Sequence, residues 1–161
     1  MKKLLLSALM FASISSFAQT KKVILHDYTG VNCQYCTDGT VRIEAMQATN
    51  PTDFIPIQIH TGSYTPSTSP MKTSVGDEIL TLVTPPGYPC GSVDMLKYDP
   101  SGSTGLAMSR SYWGNAFSAQ KAKGAIASIS IDNRVDKGGG TYECDVVVEF
   151  TSAPSSTSPI N

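Results

Sequence analysis

Cys33 and Cys36 stand two residues apart in the stretch Val31-Asn32-Cys33-Gln34-Tyr35-Cys36. That spacing lets two sulfurs meet within one helical turn, so the pair can cycle between dithiol and disulfide. The same spacing also serves an inert structural disulfide or a metal site. A structural zinc would require a second close pair of ligands, and Cys90 and Cys144 are not one. Four cysteines with one close pair suggest one local disulfide and two further thiols. Cys90 reads either as a small buried residue or as half of a disulfide with Cys144.

Other groups gather around this pair in the sequence. Asp27 lies six residues before Cys33, in a register that points toward the second sulfur, where a carboxylate can move a proton during exchange. An acid there equally well caps the loop or stays solvated. His60 closes a second apolar run and either tunes a thiol or holds the following loop by a hydrogen bond. In Gly87-Tyr88-Pro89-Cys90-Gly91 the proline follows a tight glycine turn and opens a strand, a place that tolerates a cis peptide. Tyr88 and Pro89 are the candidate peptide-contacting residues, with Cys90 beside them.

These residues need elements to position them. Lys22 to Tyr28 (KVILHDY) reads as a buried strand ending in the Thr29-Gly30 loop. From Cys36 the period changes: Val41, Ala45 and Ala48, with Ile43 and Met46, predict an amphipathic helix stopped by Asn50-Pro51. Phe54 to His60 (FIPIQIH) predicts a second strand blemished by Pro56. Strand, helix and strand form a βαβ unit with parallel strands and a right-handed crossover. The CxxC pair then falls between strand and helix, where the helix N-terminus favours a thiolate at Cys33 while Cys36 sits one turn in and shielded. Further on, helices are predicted over Lys72 to Val83, with Val75, Ile79, Leu80 and Val83 on one face, and over Leu106 to Lys123. In that last helix Leu106, Trp113, Ala116, Phe117 and Gln120 keep helical spacing and read as core. Between them, Tyr88 to Tyr98 carries a turn and a strand.

From Ala125 the period becomes two. Ile126 to Asp132 and Tyr142 to Phe150 flank Asp136-Lys137-Gly138-Gly139-Gly140, which predicts a β-hairpin with a loose glycine turn. A two-stranded sheet alone buries too little, so the hairpin is expected to pack on the preceding domain or to open a β-sandwich whose remainder is missing, the second being preferred.

Composition narrows the partners. The formal net charge is −1 and no Lys/Arg cluster follows the first residues, which argues against nucleic acid and anionic membrane. Lys2 and Lys3, the short apolar run Leu4 to Phe17 and the small-residue site Ser16-Phe17-Ala18 read as a secretory signal over 1–18. The run is too short and too serine-rich to span a bilayer comfortably. No cysteine follows Ala18 to take a lipid anchor. Export across the inner membrane to the periplasm or outer membrane of a Gram-negative bacterium is the expected route, into a compartment where disulfides persist.

Several stretches, Val23 to Cys36 (VILHDYTGVNCQYC), Ile57 to Tyr64 (IQIHTGSY), Gly76-Asp77 and Gly87 to Asp94 (GYPCGSVD), resemble a family of thioredoxin-like outer membrane proteins named for a mass of about twenty-eight kilodaltons. The resemblance covers roughly Lys22 to Tyr98. It implies an α/β, thioredoxin-like domain over 19–123, an envelope location with outer membrane association, and continuation into an all-β, sandwich-type domain, of which 124–161 would be a truncated start. Three departures stand out: Asn32 replaces the tryptophan that precedes the first cysteine in thioredoxin, Cys90 follows the proline where a non-thiol is usual, and a long Ser/Thr/Pro loop precedes the second helix. On this reading Cys33 attacks, Cys36 resolves, Asp27 moves a proton, and Tyr88 and Pro89 contact the substrate. His60 and Cys90 are accessory. The partners are protein thiols and disulfides of the envelope, and neither cofactor nor metal is called for.

Overall fold

The computed structural model describes residues 20–150. The signal segment expected over 1–18 and the Ser/Thr/Pro-rich residues 151–161 lie outside the described residues.

The unbroken apolar run Val23-Ile24-Leu25, with Tyr28 beyond it, makes β1 (Val23–Thr29) a strand that can be buried on both faces, and it takes a central place in the sheet. A turn leads into α1 (Cys36–Thr49), and the chain returns in β2 (Phe54–His60), parallel to β1 with Val23 opposite Phe54 and Thr29 opposite His60. Pro56 is tolerated because β2 is an edge strand. The Thr61 N–H, in the outward-inward phase opposite to Pro56, donates to the Thr29 carbonyl of β1 at 3.1 Å, so the proline nitrogen faces away from the ladder. After α2 (Ser74–Val83), β3 (Cys90–Val93) runs antiparallel to β1 on its other side, and β4 (Met108–Ser109) pairs antiparallel to β3. The sheet order is β2-β1-β3-β4, and α3 (Trp113–Lys121) follows. The architecture is mixed α/β.

Two apolar layers flank this sheet. Val23, Leu25, Phe54 and Val93 meet Ile43 of α1 and Trp113 and Phe117 of α3, with the Phe54 and Phe117 rings edge to face at 5.4 Å. On the opposite side Tyr28 and Cys90 meet Val83 of α2 and Ala107. Strand alternation therefore sends Asp27 toward the α1 side and its neighbour Tyr28 toward α2.

Three expectations change here. The helix predicted from Leu106 begins only at Trp113; before it, Met108–Ser109 closes the free edge of β3. Leu106 packs with the α2-side layer and Trp113 with the other, so no single helix face holds both, and their helical spacing is coincidental. In α1, Val41 is 62% exposed; the inward stripe is Cys36, Gly39 and Ile43. Gly39 hides that seam from a hydropathy reading. A side chain there would press on the Pro89 ring at 3.0 Å and on Trp113 at 3.4 Å, so α1 lies close against both. In α2, which starts two residues later than predicted, Thr73 caps the helix by accepting the Gly76 N–H at 3.0 Å; Val75 is exposed, while Val83 is buried.

The two-stranded sheet β5 (Ala127–Gly138) and β6 (Thr141–Phe150) is joined through Gly138, Gly139 and Gly140, all at positive φ as the turn requires. Ile129 pairs with Val148 and Ile131 with Val146 on one face; Ser128 pairs with Glu149 and Asp132 with Asp145 on the other. The apolar face is exposed, with Ile129 and Ile131 at 70% and 66%. A chain truncated after Gly124 is expected to keep its thermal midpoint within about 5 °C, the shift that ~1 kcal/mol produces in a domain of this size. Calorimetry checks it, and a loss of more than about 10 °C would make the hairpin integral to the first sheet.

Candidate functional site

Cys33 and Cys36 are joined as a disulfide at the start of α1. The turn carrying them is built by the backbone: the Cys33 N–H donates to the Gly30 carbonyl at 3.2 Å, and the Cys36 N–H to the Cys33 carbonyl at 3.1 Å. Cys36 is the first helical residue, where the change of period puts it, and Cys33 sits in the turn before it. The expected contrast in shielding is small. Cys33 is 7% exposed and Cys36 5%. In the first turn Asp38 complements the helix dipole, and the guanidinium groups of Arg42 and Arg110 hold its carboxyl below the usual range.

The loop after β2 supplies one wall. The Asn32 N–H donates to the Tyr64 carbonyl at 2.9 Å, and Gly30 lies so close that any side chain there would occupy the space of the Tyr64 Cβ and carbonyl. The Tyr64 ring meets the Tyr88 ring edge to face at 5.2 Å. Tyr88 in turn reaches Gly62, where its hydroxyl fills the place of a side chain. Burial, with Cys90, Asp77 and Tyr64 nearby, pushes the Tyr88 hydroxyl up to about 12. The Tyr88–Pro89 peptide is cis, and the Pro89 ring rests on Gly39 one turn into α1. Asp77 ties this loop down by accepting from the Thr61 hydroxyl at 2.5 Å and the Gly62 N–H at 3.2 Å.

Asp27 of β1 has no solvent exposure. Its Oδ2 accepts from Gln58 Nε2 at 3.3 Å, while Oδ1 has no partner among the described residues. Burial outweighs that single bond and raises the carboxyl to about 6. Gln58 Nε2 also donates to Thr40 Oγ1 at 3.3 Å, and Thr40 donates to the Cys36 carbonyl at 3.4 Å. The carboxyl is thus linked through two side chains to the backbone of the second cysteine. Gln58 and Thr40 were not singled out from the sequence; the one signal for Gln58 is its lone amide in the apolar run FIPIQIH.

His60 and Cys90 hold other positions. His60 ends β2 opposite Thr29, on the edge where the cysteine turn emerges, and its Nδ1 is buried without a partner among the described residues. It lines an open cavity of about 360 Å³ between β2 and α2, together with His26, Ile57, Met71 and Ile79. Cys90 is a free, fully buried thiol in the layer of Tyr28, Val83 and Ala107. Burial, then the Asp27 charge, pushes it up to about 12. Cys144 is free and exposed, so the two are not paired. Among the described residues no group of three or more His, Cys, Asp or Glu side chains is placed to hold a metal, and no helix is long and apolar enough to cross a membrane.

No protein-family model matches the chain, and no curated protein or solved structure matches it.

A carboxyl raised in the folded state opposes folding once it ionises. Stability from the neutral form is complete below the unfolded value of 3.8 and is lost as pH climbs through about 6. The two values differ by about 2 units, about 3 kcal/mol at full ionisation. His26, whose burial lowers its pKa, acts in the opposite direction, so the comparison is made against a variant. Oxidised Asp27→Asn is expected to match the wild type near pH 4 and to exceed it by about 2–3 kcal/mol at pH 7.5 in urea denaturation. A difference independent of pH would show that Asp27 ionises as freely folded as unfolded.

Proposed function

We propose that the α/β domain is thioredoxin-like and that Cys33 and Cys36 carry thiol–disulfide exchange on protein substrates. The observation that carries this reading is the Cys33–Cys36 disulfide at the start of α1, with a buried carboxyl linked by hydrogen bonds to the same turn. The strand order β2-β1-β3-β4, with β1 and β2 parallel and β3 and β4 antiparallel, supports it, as does the cis Tyr88–Pro89 peptide packed on α1. In the reducing direction the Cys33 thiolate attacks a substrate disulfide and expels one substrate thiolate, which takes up a proton. Cys36 then gives up its proton and attacks the Cys33 sulfur, releasing the second substrate thiolate. Two electrons pass from the pair to the substrate, and oxidation reverses the steps. The Lys2-Lys3 leader and the oxidising compartment it implies suit a place in a Gram-negative envelope, with envelope thiols and disulfides as partners.

The near-equal enclosure of both cysteines favours a second reading, a non-catalytic envelope binding or structural protein locked by its disulfide. Labelling separates the two. In the reduced protein Cys33 is expected to alkylate with iodoacetamide faster than an unfolded thiol at neutral pH, with a midpoint below about 8.5. Cys36→Ser should trap partners through Cys33, and the wild type should reduce insulin. A bridge that resists dithiothreitol in the folded state, with Cys33 labelling no faster than a free thiol, would establish the structural reading instead.

A further inference from the structure

Residues 61–70 form the long loop between β2 and α2, and no charged side chain lies within it. Only Thr61 and Thr65 of that stretch are buried, so apolar packing does little to hold it. Lys72 supplies the grip. Its backbone is pinned to the end of β2 by a parallel bridge to His60, and its side chain is mostly buried. An ammonium has three hydrogens to donate. Here it meets the Gly62 carbonyl at 3.0 Å, the Thr65 carbonyl at 3.3 Å and Asp77 Oδ2 at 3.4 Å. Asp77 turns its other oxygen to the Thr61 hydroxyl and the Gly62 N–H. Those donors, with Lys72, hold its carboxyl below the usual range, so it stays ionised at neutral pH.

Between the two gripped carbonyls stands Tyr64, and its own carbonyl accepts the Asn32 N–H at 2.9 Å. Gly30 lies against the same Tyr64 backbone, and the Gly30 carbonyl accepts the Cys33 N–H at 3.2 Å. The turn that carries Cys33 therefore has one anchor within itself and one on the clamped loop. The helix that begins at Cys36 is held separately, through Gly39 against Pro89 and Trp113. The geometry points to Lys72 as a positioning residue for the cysteine pair: by clamping the 62–65 turn it fixes Cys33 against α1 and favours the closed disulfide over the dithiol. The role rests on the exchange reading above, because that balance decides how readily the pair gives or accepts electrons. A disulfide forms only while both sulfurs are held within bonding reach, whereas two thiols tolerate a looser turn. Releasing the clamp thus weakens the oxidised form more than the reduced one. A cation acting through its charge alone would work in the other direction, since its loss disfavours a thiolate and so favours the disulfide. The sign of the shift separates the two.

The test compares the wild type with Lys72→Met, which keeps the stem without its donors, and Lys72→Arg, which restores several. Lys97→Met is the control, removing an exposed lysine that pairs with Asp99. Each full chain is equilibrated with glutathione at pH 7. Two glutathione thiols give two electrons and two protons to the Cys33–Cys36 bond and leave as glutathione disulfide. Amide hydrogen exchange of the oxidised proteins reads the Asn32 N–H directly. Lys72→Met is expected to shift the equilibrium toward the dithiol by about three- to tenfold. Its Asn32 amide should exchange about tenfold faster, with the amides of β1 unchanged. Lys72→Arg should stay within about twofold of the wild type, and Lys97→Met should match it. A lysine that only adds stability would lower the unfolding midpoints of both redox forms alike and leave the equilibrium in place, which overturns the proposal. So does a shift toward the disulfide, or a shift without faster exchange at Asn32. Where Lys72→Met does not fold, Asp77→Asn carries the same expectation at about two- to threefold, since it removes the charge facing the ammonium. A bond that glutathione opens in no folded variant overturns the exchange reading and this role together. A shifted equilibrium without insulin reduction supports the clamp and overturns the exchange reading alone.

Discussion

Asp27 occupies a position on the central strand where both neighbours in the sheet are fixed, Gln58 on β2 and Gly91 on β3. A buried carboxyl at such a site carries a cost of about 3 kcal/mol once ionised, and only one neighbour offers it a hydrogen bond. The rest of the domain accommodates that choice. Gly91 leaves room for the Trp113 indole, which would otherwise sit 2.9 Å from a side chain, and the indole closes the α3 side over the strand. Thr40 brings α1 down onto Gln58. On this side Asp27 is the titratable group that hydrogen bonds through Gln58 and Thr40 tie to the cysteine turn. Asp27 is an acid whose affinity burial has shifted toward neutrality.

The opposite side of the turn is assembled from three loops, and close approach of backbone is what joins them. Gly30 admits Tyr64, Gly62 admits the Tyr88 hydroxyl, and Gly39 admits Pro89. Each contact would be filled by a β-carbon, so each fixes a distance between segments that are remote in sequence. Asp77 and Lys72 then hold the Thr61–Thr65 stretch by hydrogen bonds rather than by apolar packing. Two tyrosine rings in contact form the resulting wall. Tyr64 is the more exposed of them, with 43% of its surface open.

Strand and helix periods made much of this frame legible. β1, β2 and α1 fall within about a residue of their predicted limits, because turn residues and Asn50-Pro51 punctuate them. The hairpin was equally plain, since alternation and three consecutive glycines leave little else. What periodicity could not supply was register. Gln58 meets Asp27 only because two strands thirty-one residues apart align in parallel, and nothing local to either residue encodes that. The seam of α1 was hidden because its closest residue is a glycine. The segment from Leu106 to Tyr112 was misread because side chains at helical spacing feed opposite faces of the sheet. Equal enclosure of Cys33 and Cys36 also escaped the helix-terminus argument, which concerns charge and says little about coverage.

The four cysteines show how environment divides one functional group into separate chemistries. A thiol reacts through its thiolate, so its availability falls tenfold for each unit by which its pKa exceeds the ambient pH. Pushed up to about 12, Cys90 stays a thiol at neutral pH, and it lies on the α2 side of the sheet, across from Asp27. Burial and the Asp27 charge act together there, since an anion at either group raises the cost of the other. Cys90 therefore contributes an apolar volume behind Pro89 and does not compete with the disulfide, although it is the next residue to the proline that touches α1. Cys33 and Cys36 meet the reverse conditions: a helix start that favours the anion at the first sulfur, and a protonatable carboxyl tied to the turn of the second. The sheet separates these two settings by alternation alone, because Tyr28 and Cys90 pair on one face while Asp27 and Gly91 pair on the other. A slip of one residue between β1 and β3 would exchange them and bring Cys90 to the face that holds Asp27, so the register of this short antiparallel ladder is what keeps the third sulfur on the other side of the sheet.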